Sequence, residues 1–444
     1  MRKGQSLITT ILKFRYTAFS TKQKTERKYC CLQMVHEITR KEAAFMQKHA
    51  GEATDKLMFR YFESSEEDLD VAFCCSQIAA RRKYARKLPD FVADCRIVFP
   101  PSLNLEQSSS EATARYKQGL IGKGETLADL TCGFGIDSFY FAQKAASVLC
   151  TEKEAWLSEI TEYNFGVLGL TNCRFVCADV AKQSVGSILQ SVGLSSVDVI
   201  YLDPSRRNEN TKQRVYAIED CSPDVKAMIK DLLSVSEHII IKLSPMVDLK
   251  ALERDFDGIC DVHVLSLRNE CKEVLVEIRR NYEGKVLYHV ADLTKGGFGV
   301  LSFSREECET TDQTGDKYSQ VGRYLFDPDV SLMKIGLFQP LIEKYGVKKL
   351  HRNTHLFTSD RPIEDFFGRS FEVEDVLPAG SKSIRNIKKA NVAVRNFPQN
   401  VEQIRKQHKL SDGGDIYLFF AILKDESKVC IVCKKLRTAN PTRK

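Results

Sequence analysis

The chain lacks any apolar run near the roughly 18 residues that a membrane-spanning helix requires, so neither a bilayer span nor a membrane partner is expected. It also lacks charge of one sign. Against 66 Lys+Arg stand 59 Asp+Glu, a formal net charge of +7. That excludes the bias of a histone-like protein and makes the location of charge more telling than its sum. No internal repeat or low-complexity tract divides the 444 residues, so the length reads as roughly two to four domains. Metal-ligand spacing is scarce too, although cysteine is not: the 15 cysteines are scattered and read as reduced thiols in a cytosolic protein. Cys430 and Cys433 have CxxC spacing with no second CxxC or His pair beside them, so core packing is expected there and no metal.

The first 33 residues carry eight basic residues and only Glu26 as an acid. This resembles an organellar transit peptide, but a disordered basic extension, or a start upstream of Met34, is the preferred reading, and a cytoplasmic location is expected. Residues 37 to 90 carry helical patterning that Pro89 ends, giving a small helical cap. From Thr126 to Ile278 apolar strand-like runs alternate with helical stretches, the signature of a parallel α/β sheet. The runs are Thr126 to Leu130, Ser147 to Thr151, Cys173 to Cys177, Val197 to Leu202, His238 to Leu243, Asp261 to Leu267 and Glu273 to Ile278. Only Arg268 to Lys272 separates the last two, too short for a parallel crossover. The sheet is therefore expected to end in an antiparallel strand, unlike a dehydrogenase sheet. Beyond Asn281, strands are expected at Lys285 to Asp292 and Gly299 to Ser304, a helix over Leu332 to Tyr345, and closing strands at Ile416 to Leu423 and Lys428 to Lys434.

The first strand ends in Asp129-Leu130-Thr131, and Gly133 and Gly135 let the backbone approach a ligand at the start of a helix. A dinucleotide fingerprint wants a third glycine at position 138, which is Ser138, so a pyrophosphate grip is disfavoured. S-adenosylmethionine has no phosphate; it needs a polar turn at its amino acid end, which Asp129, Thr131 and Asp137 can supply. Glu152, 17 residues past Gly135, is placed to accept both ribose hydroxyls, and Asp179 to accept from the adenine amino group. Any one of these acids could be a helix N-cap; three at successive strand ends make that reading poor for the set.

The fourth strand ends in Tyr201-Leu202-Asp203-Pro204-Ser205-Arg206-Arg207. Asp203 and the backbone at Pro204 are candidates to accept hydrogen bonds from an amine. Arg206 and Arg207 are candidates to hold a phosphate or carboxylate, with salt bridges to Glu209 or Asp220 as the plainer alternative. Lys242 follows at the end of strand five, in Ile241-Lys242-Leu243-Ser244-Pro245-Met246. No cysteine stands there to activate a pyrimidine ring carbon, so nitrogen or oxygen methylation is favoured. Gln107 and Lys117, in the polar segment Leu103 to Lys117, are candidates for the substrate pocket; Ser108 to Ser110 as a helix cap is the alternative. On the pocket reading, Lys117→Ala lowers methyl transfer more than stability. Between Lys382 and Lys409 eight basic residues face one acid, Glu402. Lys382, Arg385, Lys388, Lys389 and Arg395 are the candidate phosphate contacts, against a merely solvated face.

These pieces together resemble a bacterial-type family of class I methyltransferases with ferredoxin-like and THUMP-like C-terminal domains. The matching segments are Leu103 to Lys117, Ala128 to Ser138, Tyr201 to Arg207, Ile241 to Met246, Phe367 to Arg369, Val394 to Pro398 and Asp412 to Phe419. The family usually has Gly at Cys132 and Ala at Ser205, both small exchanges. The resemblance implies an α/β Rossmann-like seven-stranded sheet with an antiparallel last strand, S-adenosylmethionine as cofactor, and RNA, tRNA or rRNA, as methyl acceptor. The expected division is a basic extension over 1–34, a helical domain over 35–100, the methyltransferase domain over 101–281, a ferredoxin-like domain over 282–322 and a THUMP-like domain over 323–437. A protein or small-molecule methyltransferase, and a non-catalytic RNA-binding protein with a relict pocket, are the competing readings.

Overall fold

The computed structural model describes residues 35–61, 69–206, 221–294, 299–309 and 318–436; the extension over 1–34 and Arg207 lie outside them. Helices α1 (Arg40–Lys48), α2 (Thr54–Arg60) and α3 (Val71–Tyr84) open the described chain. At α1 the Thr39 side chain accepts from the Glu42 N–H while the Glu42 carboxylate accepts from the Thr39 N–H, a reciprocal cap that satisfies two orphan donors. The three helices bury Leu57, Cys74, Cys75 and Ile78 between them. Pro89 does more than end this unit: it stands in the first turn of α4 (Pro89–Ala93), where a missing N–H breaks no helical bond.

The large sheet is built from β1 (Thr126–Asp129), β2 (Ser147–Glu152), β3 (Cys173–Cys177), β4 (Val199–Leu202), β5 (His238–Leu243), β6 (Ile259–Leu267), β7 (Glu270–Arg279), β8 (Leu287–Asp292) and β9 (Gly299–Ser304). Its order is β9-β8-β6-β7-β5-β4-β1-β2-β3. β1 to β5 run parallel, and β7 inserts antiparallel between β5 and β6, as the short β6–β7 connection required. Arg268 and Asn269 make that turn with left-handed φ of 56° and 60°, the two-residue geometry whose twist matches its strands. All four residues of β4 are buried, the continuous apolar pattern of a strand covered on both faces.

The sheet has nine strands where seven were expected. β8 pairs parallel with β6, and β9 antiparallel with β8, so the strands placed in a separate domain over 282–322 extend the large sheet instead. Alternate residues Tyr288 and Val290 enter the same core as Val262, Val264 and Val276, and that shared burial fixes the register.

A second sheet follows, from β10 (Tyr324–Pro328), β11 (Lys348–Lys349), β12 (Phe357–Ser359), β13 (Gly368–Pro378), β14 (Asn391–Arg395), β15 (Ile416–Ile422) and β16 (Lys428–Lys435). Its order is β11-β12-β10-β13-β16-β15-β14. Tyr324, Phe326 and Phe357 bury in one continuous core with Val262 and Tyr288, which packs this sheet against the large one. The single helix expected over Leu332 to Tyr345 is two, Val330–Ile335 and Gln339–Tyr345, because Gly336 caps the first at φ 77° and Pro340 opens the second. Cys430 and Cys433 lie three apart on β16, so they face opposite sides. They bury in different cores and have no common ligand position.

Candidate active site

The glycine turn joins β1 to α7 (Ile136–Ala142). Gly133 and Gly135 are left-handed, with φ of 56° and 76°. A Cβ on Gly135 would stand 2.5 Å from Thr161 Cγ2 and 2.9 Å from the Phe165 ring, so helix α8 (Ala155–Val167) occupies the space any side chain would need. A Cβ on Gly133 would meet nothing nearer than the Thr131 carbonyl at 4.0 Å, which leaves the outer side of the turn open to a ligand. Asp129 anchors the turn from beneath, accepting from the Thr131 N–H at 3.0 Å and from the Ser138 hydroxyl. Ser138 thus stands where a dinucleotide site would have glycine and braces the acid at the end of β1. Burial pushes the Asp129 carboxyl up to about 7 against those two hydrogen bonds.

The other two acids, Glu152 and Asp179, which the sequence offers as cofactor contacts, sit along the same carboxyl edge. Glu152 accepts from the Gly133 N–H at 3.0 Å and from the Glu154 N–H at 2.9 Å. A carboxylate has about four lone-pair directions, so two stay available to ribose hydroxyls. Asp179 accepts from the Ala181 N–H at 3.1 Å, and the hydrogen bond from Lys182 holds its carboxyl below the usual range. The open glycine turn and these half-exposed carboxylates fit S-adenosylmethionine.

The end of β4 is drawn into a buried network by two lysines. Asp203 donates its backbone N–H to Thr131 Oγ1 at 2.6 Å, so Thr131 ties the cofactor turn to the end of β4, and its carboxylate pairs with Lys242. Burial lowers the Lys242 pKa, but Asp203, Asp137 and Glu273 outweigh that and raise it, holding the ammonium charged. Lys242 also donates to Ser109 Oγ at 3.2 Å, and Ser109 donates to Asp137 at 2.7 Å. Tyr201 donates to the same Asp137 oxygen at 2.7 Å. Asp137 is itself buried; that burial raises its carboxyl, and the charges of Lys117 and Lys242 override it to bring it below the usual range.

Lys117 sits at the centre of this network, not in an open substrate pocket. Its side chain is 0% exposed and lies between Asp137 at 2.8 Å and Glu273 at 2.9 Å. The polar segment is two helices, α5 (Ser102–Gln107) and α6 (Glu111–Gln118). Ser110 caps the second by accepting from the Thr113 N–H at 3.2 Å, while Ser109 joins the buried network through Lys117, Lys242 and Asp137. Gln107 is exposed, outside the buried network. Pro204 is buried beside Asp203. Arg206 forms a two-residue ladder, Ser205–Arg206 against Cys221–Ser222.

Sequence reasoning missed Glu273 and Lys87. Glu273 had a signal: with Glu277 it interrupts an apolar strand at a spacing of four, which puts both acids on one face. Glu277 accepts from His238 at 2.6 Å and His263 at 2.7 Å. Lys87 donates to the Leu105 and Glu106 carbonyls at 2.7 and 2.9 Å, tying the helical cap to α5, and burial with the nearby Lys242 charge pulls it down to about 8.

Of the basic run, Lys382, Arg385, Lys388 and Lys389 are exposed on and beside the short helix Lys382–Asn386. Arg395 does not join them. It pairs with Asp327 at 2.7 Å, across the second sheet.

The C-terminal segment matches a THUMP domain-like family over residues 368–435 and a ferredoxin-like domain family over residues 324–366, so the ferredoxin-like match falls after the 282–322 stretch. A crystal structure of a protein assigned as a methyltransferase in Porphyromonas gingivalis superposes with a TM-score of 0.77 at 28% identity, covering 89% of this chain and 98% of that one. An uncharacterised S-adenosylmethionine-dependent methyltransferase of Mycobacterium tuberculosis is 20% identical over 313 residues, 69% of this chain and 79% of that protein. This chain is an S-adenosylmethionine-dependent methyltransferase. The methyltransferase carries its ferredoxin-like and THUMP-like domains at the C-terminus, and its cofactor is S-adenosylmethionine. Over 84 residues, 19% of this chain and 18% of the relative, the methyltransferase is also 33% identical to a 23S rRNA uracil-C(5)-methyltransferase of Marinomonas posidonica. Among the described residues no helix is long and apolar enough to cross a membrane.

Proposed function

We propose that this enzyme methylates a base nitrogen of a structured RNA, tRNA or rRNA. One observation carries the reading: Asp203, clamped by the charged Lys242, stands at the end of β4 with its backbone tied to Thr131 of the cofactor turn. S-adenosylmethionine supplies an electrophilic methyl group, so the protein must chiefly orient and desolvate the acceptor. Asp203 accepts a hydrogen bond from the base N–H and turns the nitrogen lone pair toward the methyl group. When bound, S-adenosylmethionine would supply the methyl group to that nitrogen, and the proton the nitrogen gives up would pass to solvent by way of the half-exposed Asp203 carboxylate that accepts its hydrogen bond. Carbon methylation of a pyrimidine would need a cysteine nucleophile, and Ser244-Pro245-Met246 after β5 offers none; this favours nitrogen over the ring carbon named for the Marinomonas relative.

The THUMP-like match and the exposed Lys382, Arg385, Lys388 and Lys389 support RNA as the partner, held through phosphate and shape. We divide the chain accordingly into a helical cap over 35–100, a catalytic sheet over 101–304 and RNA-positioning domains over 324–435. Arg206 and Arg207 are assigned to a substrate phosphate. Mass spectrometry of nucleosides from cells lacking the protein tests the reading: loss of one methylated nucleoside is expected. Labelled methyl transfer into protein or metabolites of an RNA-free extract, with RNA unchanged, would overturn it.

A further inference from the structure

The strongest unassigned feature is a charge cluster on the concave side of the second sheet. β10 and β14 are separated in the sheet order by β13, β16 and β15. Four strand spacings of about 4.8 Å would put them roughly 19 Å apart in a flat sheet. Arg395 of β14 nevertheless donates from Nη2 and Nε to Asp327 Oδ1 of β10, at 2.7 and 3.2 Å. The sheet therefore curls enough to bring Arg395 within reach of Asp327 across it. From β13, Arg369 donates from Nε at 3.1 Å, and from Nη2, to the other oxygen, Oδ2.

Strand alternation places all three on the inner side: Leu325 and Phe371, two residues from Asp327 and Arg369, bury in the core that the curl encloses, and Ala393, two residues from Arg395, packs partly buried against it. Asp327 is 0% exposed, yet the two arginine side chains keep 28% and 23% of their surface. One carboxylate thus neutralises one of two guanidiniums and fixes both. The surplus positive charge faces outward.

The surroundings point the same way. His355 and Asn396 are non-glycine residues held left-handed, at φ 54° and 51°, a local strain that tends to collect at binding sites. Asn396 reaches His351 at 3.2 Å. His355 lies against the Phe338 ring at 4.6 Å between centroids, with Lys349 at 4.9 Å from the same ring. Glu426 contacts His351 at 3.2 Å. His355 is kept uncharged by its burial and by the positive charges of Lys349 and Arg395, which pull it down to about 4.

We propose that Arg369 and Arg395, pre-set by Asp327, form a phosphate-binding clamp that takes a backbone phosphate of the RNA substrate. This deepens the RNA reading and rests on it. Guanidinium forks suit phosphate oxygens, and because Asp327 already holds them, little side-chain freedom is lost on binding. The clamp is separate from the exposed lysine run, so RNA is gripped at two places on the C-terminal domains.

The test uses the full chain and two probes. Inorganic phosphate, compared with chloride at equal ionic strength, is expected to raise the Tm of the wild type by about 2 °C, and R395Q is expected to abolish that rise. R395Q leaves Arg369 on Asp327, so the buried acid keeps a partner; if it does not fold, R395K serves, with its rise reduced. In RNA titrations across salt, R395Q is expected to lose about tenfold in affinity and to flatten the logarithmic salt slope by about 0.7–0.9, one phosphate contact. A folded variant that keeps the wild-type phosphate rise overturns the clamp. A lost rise with an unchanged RNA slope overturns the RNA phosphate as its ligand. A wild type that binds no RNA overturns the proposed function, and the phosphate arm then decides the anion site alone.

Discussion

The methyltransferase uses lysine in two opposite ways. Beneath the catalytic edge, Lys117 is fully buried between Asp137 and Glu273, and Lys242 is 12% exposed against Asp203. On the THUMP-like domain, Lys382, Lys388 and Lys389 are exposed. A buried ammonium must be paired, because desolvation is costly and its removal strands its partners. An exposed one is screened, contributes little to folding and is free to meet phosphate. The comparison teaches that the same side chain is a structural element where it is buried and, on the proposed reading, a recognition element where it is exposed, with burial as the deciding variable.

The comparison breaks first at Lys117. Lys117→Ala leaves two buried carboxylates without their cation, so a loss of about 3–5 kcal/mol in denaturant unfolding is expected, together with loss of methyl transfer. A variant with native stability and reduced activity would return Lys117 to the substrate pocket. Next comes Asp203→Ala, expected to lower kcat by about a hundredfold, roughly 2.7 kcal/mol, while S-adenosylmethionine affinity in calorimetry stays within a factor of about three. Equal losses in both would move Asp203 into the cofactor site.

Reversing Arg385, Lys388 and Lys389 to Glu sharpens the other side. RNA affinity should fall by at least about tenfold and the salt slope by roughly 2–3, with stability unchanged within about 0.5 kcal/mol. Unaltered RNA binding would leave this run a solvated face. The effect confined to the narrowest window is the acid limb of stability. Burial raises Glu277, but His238 and His263 override it and hold the carboxyl near about 2 instead of 4.5. A depressed folded value adds stability that is present above pH 4.5 and is lost as pH falls toward 2. Glu277→Gln should flatten the stability curve in that window; an unchanged curve would show that the pair does not carry it.

The strands β1 to β7 of the catalytic sheet, and the antiparallel pairing of the last two, were legible because their signals are local: apolar runs, glycine turns and a connection too short for a crossover. Asp129, Glu152, Asp179 and Asp203 were legible as strand-end acids for the same reason. The role of Lys117 was not: the sequence offers it as a substrate-pocket residue, and nothing local separates a lysine that lines a pocket from one buried between two acids. Its burial depends on Glu273, 156 positions away on β7. Arg395 was read as part of a basic run because it is near that run in sequence, but the curl of the second sheet turns it to Asp327. The strands over 287–304 carry strand patterning, but which sheet they join depends on the core that Tyr288 and Val290 enter.

The glycine turn was thus determined by sequence alone, since Gly133 and Gly135 readily adopt the positive φ it needs. Its missing third glycine, now Ser138, already separated a methyl donor from a dinucleotide. Which charges are structural and which are free was decided only by tertiary structure, because desolvation is a property of what packs around a side chain and not of the side chain itself.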